Sequence, residues 1–314
     1  MNWKGILAAK PFISQFLILA GLCSMSMGLF SLLGFVLASV IYHVDSLSNP
    51  AILSQLDAPG VVDALKLIQT FSAIGLFIFP AWLASWLFSK DPADFLSLKK
   101  RPKVNAILLT VVILFATVPM INWLVTLNQQ MALPSFLGGI EQWMKDSEDQ
   151  AAKLTEAFLK TGTVAGLITN LLIIALIPAI GEELLFRGVL QRLFSDAFKN
   201  KHLAIFISAA LFSALHMQFY GFIPRMLLGA LFGYFLVWSN TLWLPIIGHF
   251  VNNASAVIFS FYAAKTGLPF NQDTIGAQPG DEVVLITTVL LSVSMMWLLY
   301  KIYEKPKVDI VIEE

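Results

Sequence analysis

Residues 163–194 read TVAGLITNLLIIALIPAIGEELLFRGVLQRLF, and this stretch decides the fold. An α-helix needs roughly 20 apolar residues to cross a bilayer core of about 30 Å, and this run exceeds that length. Inside it lie Glu182, Glu183 and Arg187, three charges within six residues of otherwise apolar helix. A lone charge at mid-bilayer costs about 2.5–3.5 kcal/mol on insertion scales, so this trio has to be paired, hydrated or functional.

Working outward, comparable apolar stretches run approximately over 14–42, 64–89, 105–127, 203–218, 221–239, 242–263 and 282–302. Together with 163–194 they predict an all-α polytopic membrane protein, a bundle of about eight transmembrane helices. Composition agrees, since 57% of the 314 residues are hydrophobic and 13% charged, too little polarity to cover a soluble fold of that size. The first apolar run is far longer than a signal-peptide core and no A-x-A pattern follows it, so it is expected to be retained. No internal repeat is evident, and residues 1–314 are expected to form a single helical membrane domain.

Twenty basic and twenty acidic residues cancel, leaving no basic field for a nucleic-acid partner; the medium this chain meets is the lipid bilayer. Cys23 is the one cysteine, so neither a disulfide framework nor a cysteine zinc site forms within the chain. Basic residues gather at 4 and 10, then as Lys90, Lys99, Lys100, Arg101 and Lys103, then as Arg192, Lys199 and Lys201, and finally as Lys301, Lys305 and Lys307. An even number of crossings separates any two clusters, so they share one side, and the positive-inside rule predicts that both termini are cytoplasmic. The polar segment 128–162 then faces the opposite side as an extracytoplasmic loop. There the spacing of Ile140, Trp143, Met144, Ala151, Leu154 and Phe158 predicts short amphipathic helices lying on the membrane or capping the bundle.

Glu183 and Arg187 are four apart, in the favourable order for a pair on one helix face. Glu182 lies about 100° around the helix and is free to face something else. Two further helices carry polar groups at the same interval, Phe212 with His216 and His249 with Asn253. Counting about 1.5 Å per residue from the cytoplasmic helix ends places Glu182, His216, His249 and Asn253 within about two turns of one level. Such a set suits hydrolysis. Glu182 draws a proton from a water held by His216, while His249 and Asn253 donate to the oxyanion of an attacked peptide carbonyl. The alternative is a divalent metal such as zinc, held by Glu182, His216 and His249, that acidifies the water. The H-E-x-x-H signature is absent, as is a serine or cysteine nucleophile at recognisable spacing. From a different class, a non-proteolytic transporter or proton-coupled membrane protein could use the same residues as a proton relay.

In order and helix placement, Glu182-Glu183-x-x-x-Arg187, Phe212-x-x-x-His216 and His249-x-x-x-Asn253 resemble the three motifs of the CPBP family, the CAAX protease and bacteriocin-processing intramembrane peptidases. The resemblance covers roughly 163–263, which it marks as the catalytic core. It implies an eight-helix endopeptidase acting on membrane-anchored or lipidated protein and peptide substrates, in a bacterial inner (cell) membrane. Glu182, His216, His249 and Asn253 are then the catalytic set, with Glu183, Arg187 and Phe212 supporting. The family is described both as glutamate-type and as metal-dependent. Its bacterial-looking members also include bacteriocin-immunity proteins, which leaves an immunity or scaffold role as a third reading. Of the remaining features, Gly229-x-x-x-Gly233 reads as a small-residue face for close helix packing. Trp238 and Trp243 read as interfacial anchors. Arg225 is expected to reach the interface, a substrate carboxylate being the other partner open to it.

Overall fold

No charged residue interrupts 12–42, and the segment forms one 31-residue helix, α1 (Phe12–Tyr42). The computed structural model describes residues 3–130, 133–267 and 274–304, and no strand occurs among them. After α1 come α2 (Val61–Phe88), α3 (Val104–Gln129), α4 (Gly138–Leu159), α5 (Val164–Phe198), α6 (Lys201–Ala214), α7 (Phe222–Ser239), α8 (Trp243–Thr266) and α9 (Glu282–Tyr303). Seven of these, all but α4 and α6, are long and apolar enough to cross a membrane. Their outer faces confirm the setting: Leu17 and Leu29 on α1 are 63% and 67% exposed, and Val283 on α9 is 74% exposed, apolar surface that only lipid covers cheaply.

Capping explains where several helices begin and end. Thr163 accepts a hydrogen bond from the Gly166 N–H at the start of α5, and Asn200 accepts from the His202 and Leu203 N–H groups at the start of α6. Lys199 and Asn240 close α5 and α7 in the left-handed conformation. α6 has 14 residues, about 21 Å of rise, and stops four residues short of the expected end at 218. The chain tightens there through i→i+3 bonds from His216 N to Ser213 O and from Met217 N to Ala214 O, and Met217 turns left-handed at φ 53.

Three segments wind more widely than an α-helix. In Ile74–Ile78 of α2 and in Leu171–Leu176 and Leu184–Leu190 of α5 the backbone is π-helical. The N–H groups of Phe79, Ile177 and Gln191 reach carbonyls five residues back, those of Ile74, Leu172 and Phe186. The assumed step of about 100° per residue therefore fails on both sides of Glu182 and Glu183.

The basic loop 89–103 is laced to other elements at one end of the bundle. Lys100 Nζ donates to Ser239 O (2.6 Å), Trp243 Nε1 to Leu98 O (2.9 Å), Arg192 Nη1 to Phe95 O (2.7 Å) and Lys103 Nζ to Ile302 O (2.8 Å). The basic segments at 89–103, 192 and 301 thus share an end of the bundle; Lys305 and Lys307 lie outside the described residues. At the other end, 138–159 forms one 22-residue helix instead of several short ones. It lies over the turn after α6, its Trp143 ring 5.0 Å from that of Phe219, and Asn170 Nδ2 of α5 donates to its Phe158 O (2.9 Å).

Candidate active site

Every residue from Gly181 to Gln191 is buried, which makes the middle of α5 the most enclosed stretch of the bundle. Phe186 and Val189 anchor it in a core shared with Ala81, Ala84 and Phe88 of α2 and with Phe212, Leu242 and Ile246. Just before it, Pro178 has no N–H to return to the carbonyl four residues back, that of Ile174. Asn253 of α8 fills the gap, its Nδ2 donating to Ile174 O at 3.2 Å. One of the two amide hydrogens of Asn253 is thereby committed to the backbone, and its Oδ1 accepts from Asn252 Nδ2 (3.1 Å).

Four residues on, the charges meet. Glu183 Oε1 accepts from Arg187 Nη1 (2.8 Å) and from His249 Nδ1 (2.8 Å), so the pairing read from the four-residue spacing is joined by an imidazole from α8. Arg187 Nη2 donates to Gly229 O of α7 (2.9 Å), and the guanidinium carbon lies 4.6 Å from the Phe212 ring centroid and 5.6 Å from that of Phe232. Both polar ends of the cation are used and its faces are covered by aromatic rings, the way a buried guanidinium is held without water. His249 is clamped as well. Phe232 stacks on it at 5.3 Å, Glu183 holds its Nδ1, and its Nε2 stands 3.6 Å from Glu182 Oε2.

His216 enters differently from what its spacing suggested. It sits in the turn beyond α6, where its Nδ1 is 2.9 Å from Phe212 O and its ring lies 5.0 Å from that of Phe212. Phe212 also meets the His249 ring edge-on at 5.9 Å, so one phenyl ring stands against both imidazoles. Among the described residues no hydrogen bond or ion pair joins His216 to Glu182 or His249, and no three His, Cys, Asp or Glu side chains are arranged to hold a metal ion. Of the three residues read as possible metal ligands, Glu182 and His249 approach each other directly, while His216 stands across the Phe212 ring from His249.

Two readings of single residues change. Gly229 and Gly233 do more than let two helices approach. Their carbonyls accept from Arg187 Nη2 and Gln191 Nε2, a pair four apart on α5 matched by a pair four apart on α7. A Cβ on Gly233 would collide with this ladder, 2.8 Å from Gln191 Oε1, and one on Gly229 would crowd Arg187 Nη2 at 3.0 Å. Arg187 and Gln191 at that interval were the available signal. Arg225, expected at the interface, instead turns inward, its Nη2 donating to Gln218 Oε1 (2.6 Å) and its Nη1 buried.

Residues 164–255 match the family model of the type II CAAX prenyl endopeptidases, Rce1-like. Among curated proteins, "Uncharacterized protein YpbD" of Bacillus subtilis (strain 168) is 30% identical over 91 residues, a match that covers 28% of this chain and 43% of that protein. The chain therefore spans less than half the length of that relative. No solved structure matches the chain. The family match takes in every motif residue from Glu182 to Asn253. Residues 164–255 are thus similar to the Rce1-like type II CAAX prenyl endopeptidases, which bears out the CPBP resemblance for the segment that carries the three motifs.

Proposed function

We propose that this chain is an intramembrane endopeptidase that hydrolyses peptide bonds in membrane-anchored or lipidated protein substrates, with 163–263 as its catalytic core. The observation that carries the reading is the pair Glu182 Oε2 and His249 Nε2, 3.6 Å apart and buried, with the far side of the ring held by Glu183 at 2.8 Å. That separation is longer than a hydrogen bond, and it lets both groups share one water oxygen.

In the proposed reaction Glu182 takes a proton from that water as its oxygen attacks the scissile carbonyl carbon. Breakage of the C–N bond returns the proton from Glu182 to the leaving amine. With Nδ1 donating to the Glu183 carboxylate, the imidazole of His249 is fixed in orientation, and its protonated form directs Nε2–H at the developing oxyanion. The second amide hydrogen of Asn253, free of Ile174, is the other donor proposed. His216, whose Nδ1 donates to Phe212 O, presents Nε2 as an acceptor for the water. Glu183 and Arg187 position His249. The proposed chemistry runs on protein groups alone. The proposed setting is a bacterial inner (cell) membrane, with the basic end of the bundle and both termini cytoplasmic and α4 on the opposite side.

The test is cleavage of a membrane-anchored peptide by the purified chain in bicelles. Glu182→Gln and His249→Ala are each expected to lower kcat by about 10²–10⁴-fold, Glu182→Gln while leaving helical content and thermal unfolding in place, and a chelator is expected to leave activity intact. Full activity in either variant sinks the assignment. Proton flux in liposomes without any cleavage overturns it in favour of a proton-coupled carrier.

A further inference from the structure

Arg225 lies in the first turn of α7, its own N–H bonded to Gly221 O (3.0 Å), and it belongs to none of the three motifs. Its Nη2 is held by Gln218 Oε1 at 2.6 Å, while Nη1 is buried and has no hydrogen-bond partner. A buried cationic N–H left unmatched is costly, and a structure keeps one where something else completes it. The charged group that acts on it most strongly is Glu148 of α4, ahead of Glu182, and its own charge is felt by His216. None of them is close enough to form an ion pair with it among the described residues, and Glu148 Oε2 is itself buried without a hydrogen-bond partner. The turn that carries Gln218 is braced, since Asn128 Nδ2 donates to Tyr220 O (3.0 Å) and Trp143 packs on Phe219. The guanidinium is therefore aimed by its surroundings, and one of its two terminal nitrogens is uncommitted.

We propose that Arg225 is a specificity-determining residue, taking a carboxylate of the peptide substrate on Nη1 beside the Glu182–His249 pair. The proposal rests on the reading of the chain as an endopeptidase. A guanidinium already oriented by Gln218 suits a planar carboxylate, and its positive charge offsets the repulsion between that carboxylate and Glu182. The carboxylate belongs either to the substrate's C-terminus or to an Asp or Glu side chain near the scissile bond.

The experiment uses the full chain in bicelles and one cleavable membrane-anchored peptide in three forms: free C-terminal acid with Glu near the scissile bond, the same peptide amidated at its C-terminus, and the free acid with Gln in place of Glu. With wild-type protein, one neutralised form is expected to raise KM about tenfold or more with little change in kcat, the scale of a lost charge-assisted hydrogen bond. Which form it is identifies the source of the carboxylate. In Arg225→Gln that ratio is expected to collapse to about one, and Arg225→Lys is expected to restore part of it. Two results overturn the proposal: wild-type protein that treats all three peptides alike, or an Arg225→Gln loss equal on all three and mirrored by Glu148→Gln, which assigns the two residues to holding α4. If the wild type cleaves none of them, the endopeptidase reading fails instead. Binding of the same peptides to Glu182→Gln protein then still reports whether Arg225 distinguishes acid from neutral.

Discussion

α1 and α5 look alike as hydropathy and live in opposite surroundings. Of the 31 residues of α1, four are buried, Leu19, Ser26, Gly34 and Ala38, whereas α5 is buried without interruption from Gly181 to Gln191. α1 carries no charge and shows its side chains to lipid; α5 carries Glu182, Glu183 and Arg187 and is ringed by α2, α6, α7 and α8. The contrast teaches that in an apolar chain the polar residues report burial. A charge in a lipid-facing helix has nowhere to go, so the helix that keeps charges is the one other helices enclose.

The sharpest way to break the comparison is to remove one partner from the enclosed cluster. Arg187→Met leaves the Glu183 carboxylate buried with only His249, and unfolding in detergent is expected to become easier by about 3–5 kcal/mol. The double variant Glu183→Gln with Arg187→Met is expected to recover much of that loss; additive losses would mean that the two do not act as a pair. Next in size is Gly233→Ala. Its new Cβ would meet Gln191 Oε1 at 2.8 Å and an Ile205 methyl at 2.9 Å, and a cost of about 1–3 kcal/mol is expected in the same measurement. The smallest effect belongs to α1, where a Cβ on Gly28 meets nothing within 4 Å. Gly28→Ala is expected to be neutral or to stabilise by up to about 1 kcal/mol through helix propensity. If it destabilises as much as Gly233→Ala, the two helices do not differ as described.

Much of this contrast was legible in the residues alone. Span lengths followed from apolar runs, and the Glu183–Arg187 pair followed from a four-residue interval, because both depend on neighbours in sequence. The contact between His249 and Glu183 could not be read the same way, since 66 residues separate them and only the packing of α8 against α5 decides which imidazole nitrogen faces which carboxylate. His216 was placed on a helix because apolar residues continue to Leu215, yet the left-handed turn at Met217 ends α6 first, and a non-glycine residue in that conformation leaves no compositional mark. Gly229 and Gly233 were read as packing surface, correct as to proximity and silent about Arg187 and Gln191 arriving as hydrogen-bond donors.

By itself, then, the sequence determined that this is a helical membrane protein and which residues are too polar to be there without a purpose, because the bilayer penalises each charge locally and position by position. Tertiary structure alone decided how those residues divide. Glu183 is tied to Arg187 and His249, Asn253 is half spent on the carbonyl that Pro178 releases, Glu182 is left facing Nε2 of His249, and Arg225 is turned inward. Hydrogen bonds are directional and saturable, so the residue that remains uncommitted is known only once every other partner has been assigned.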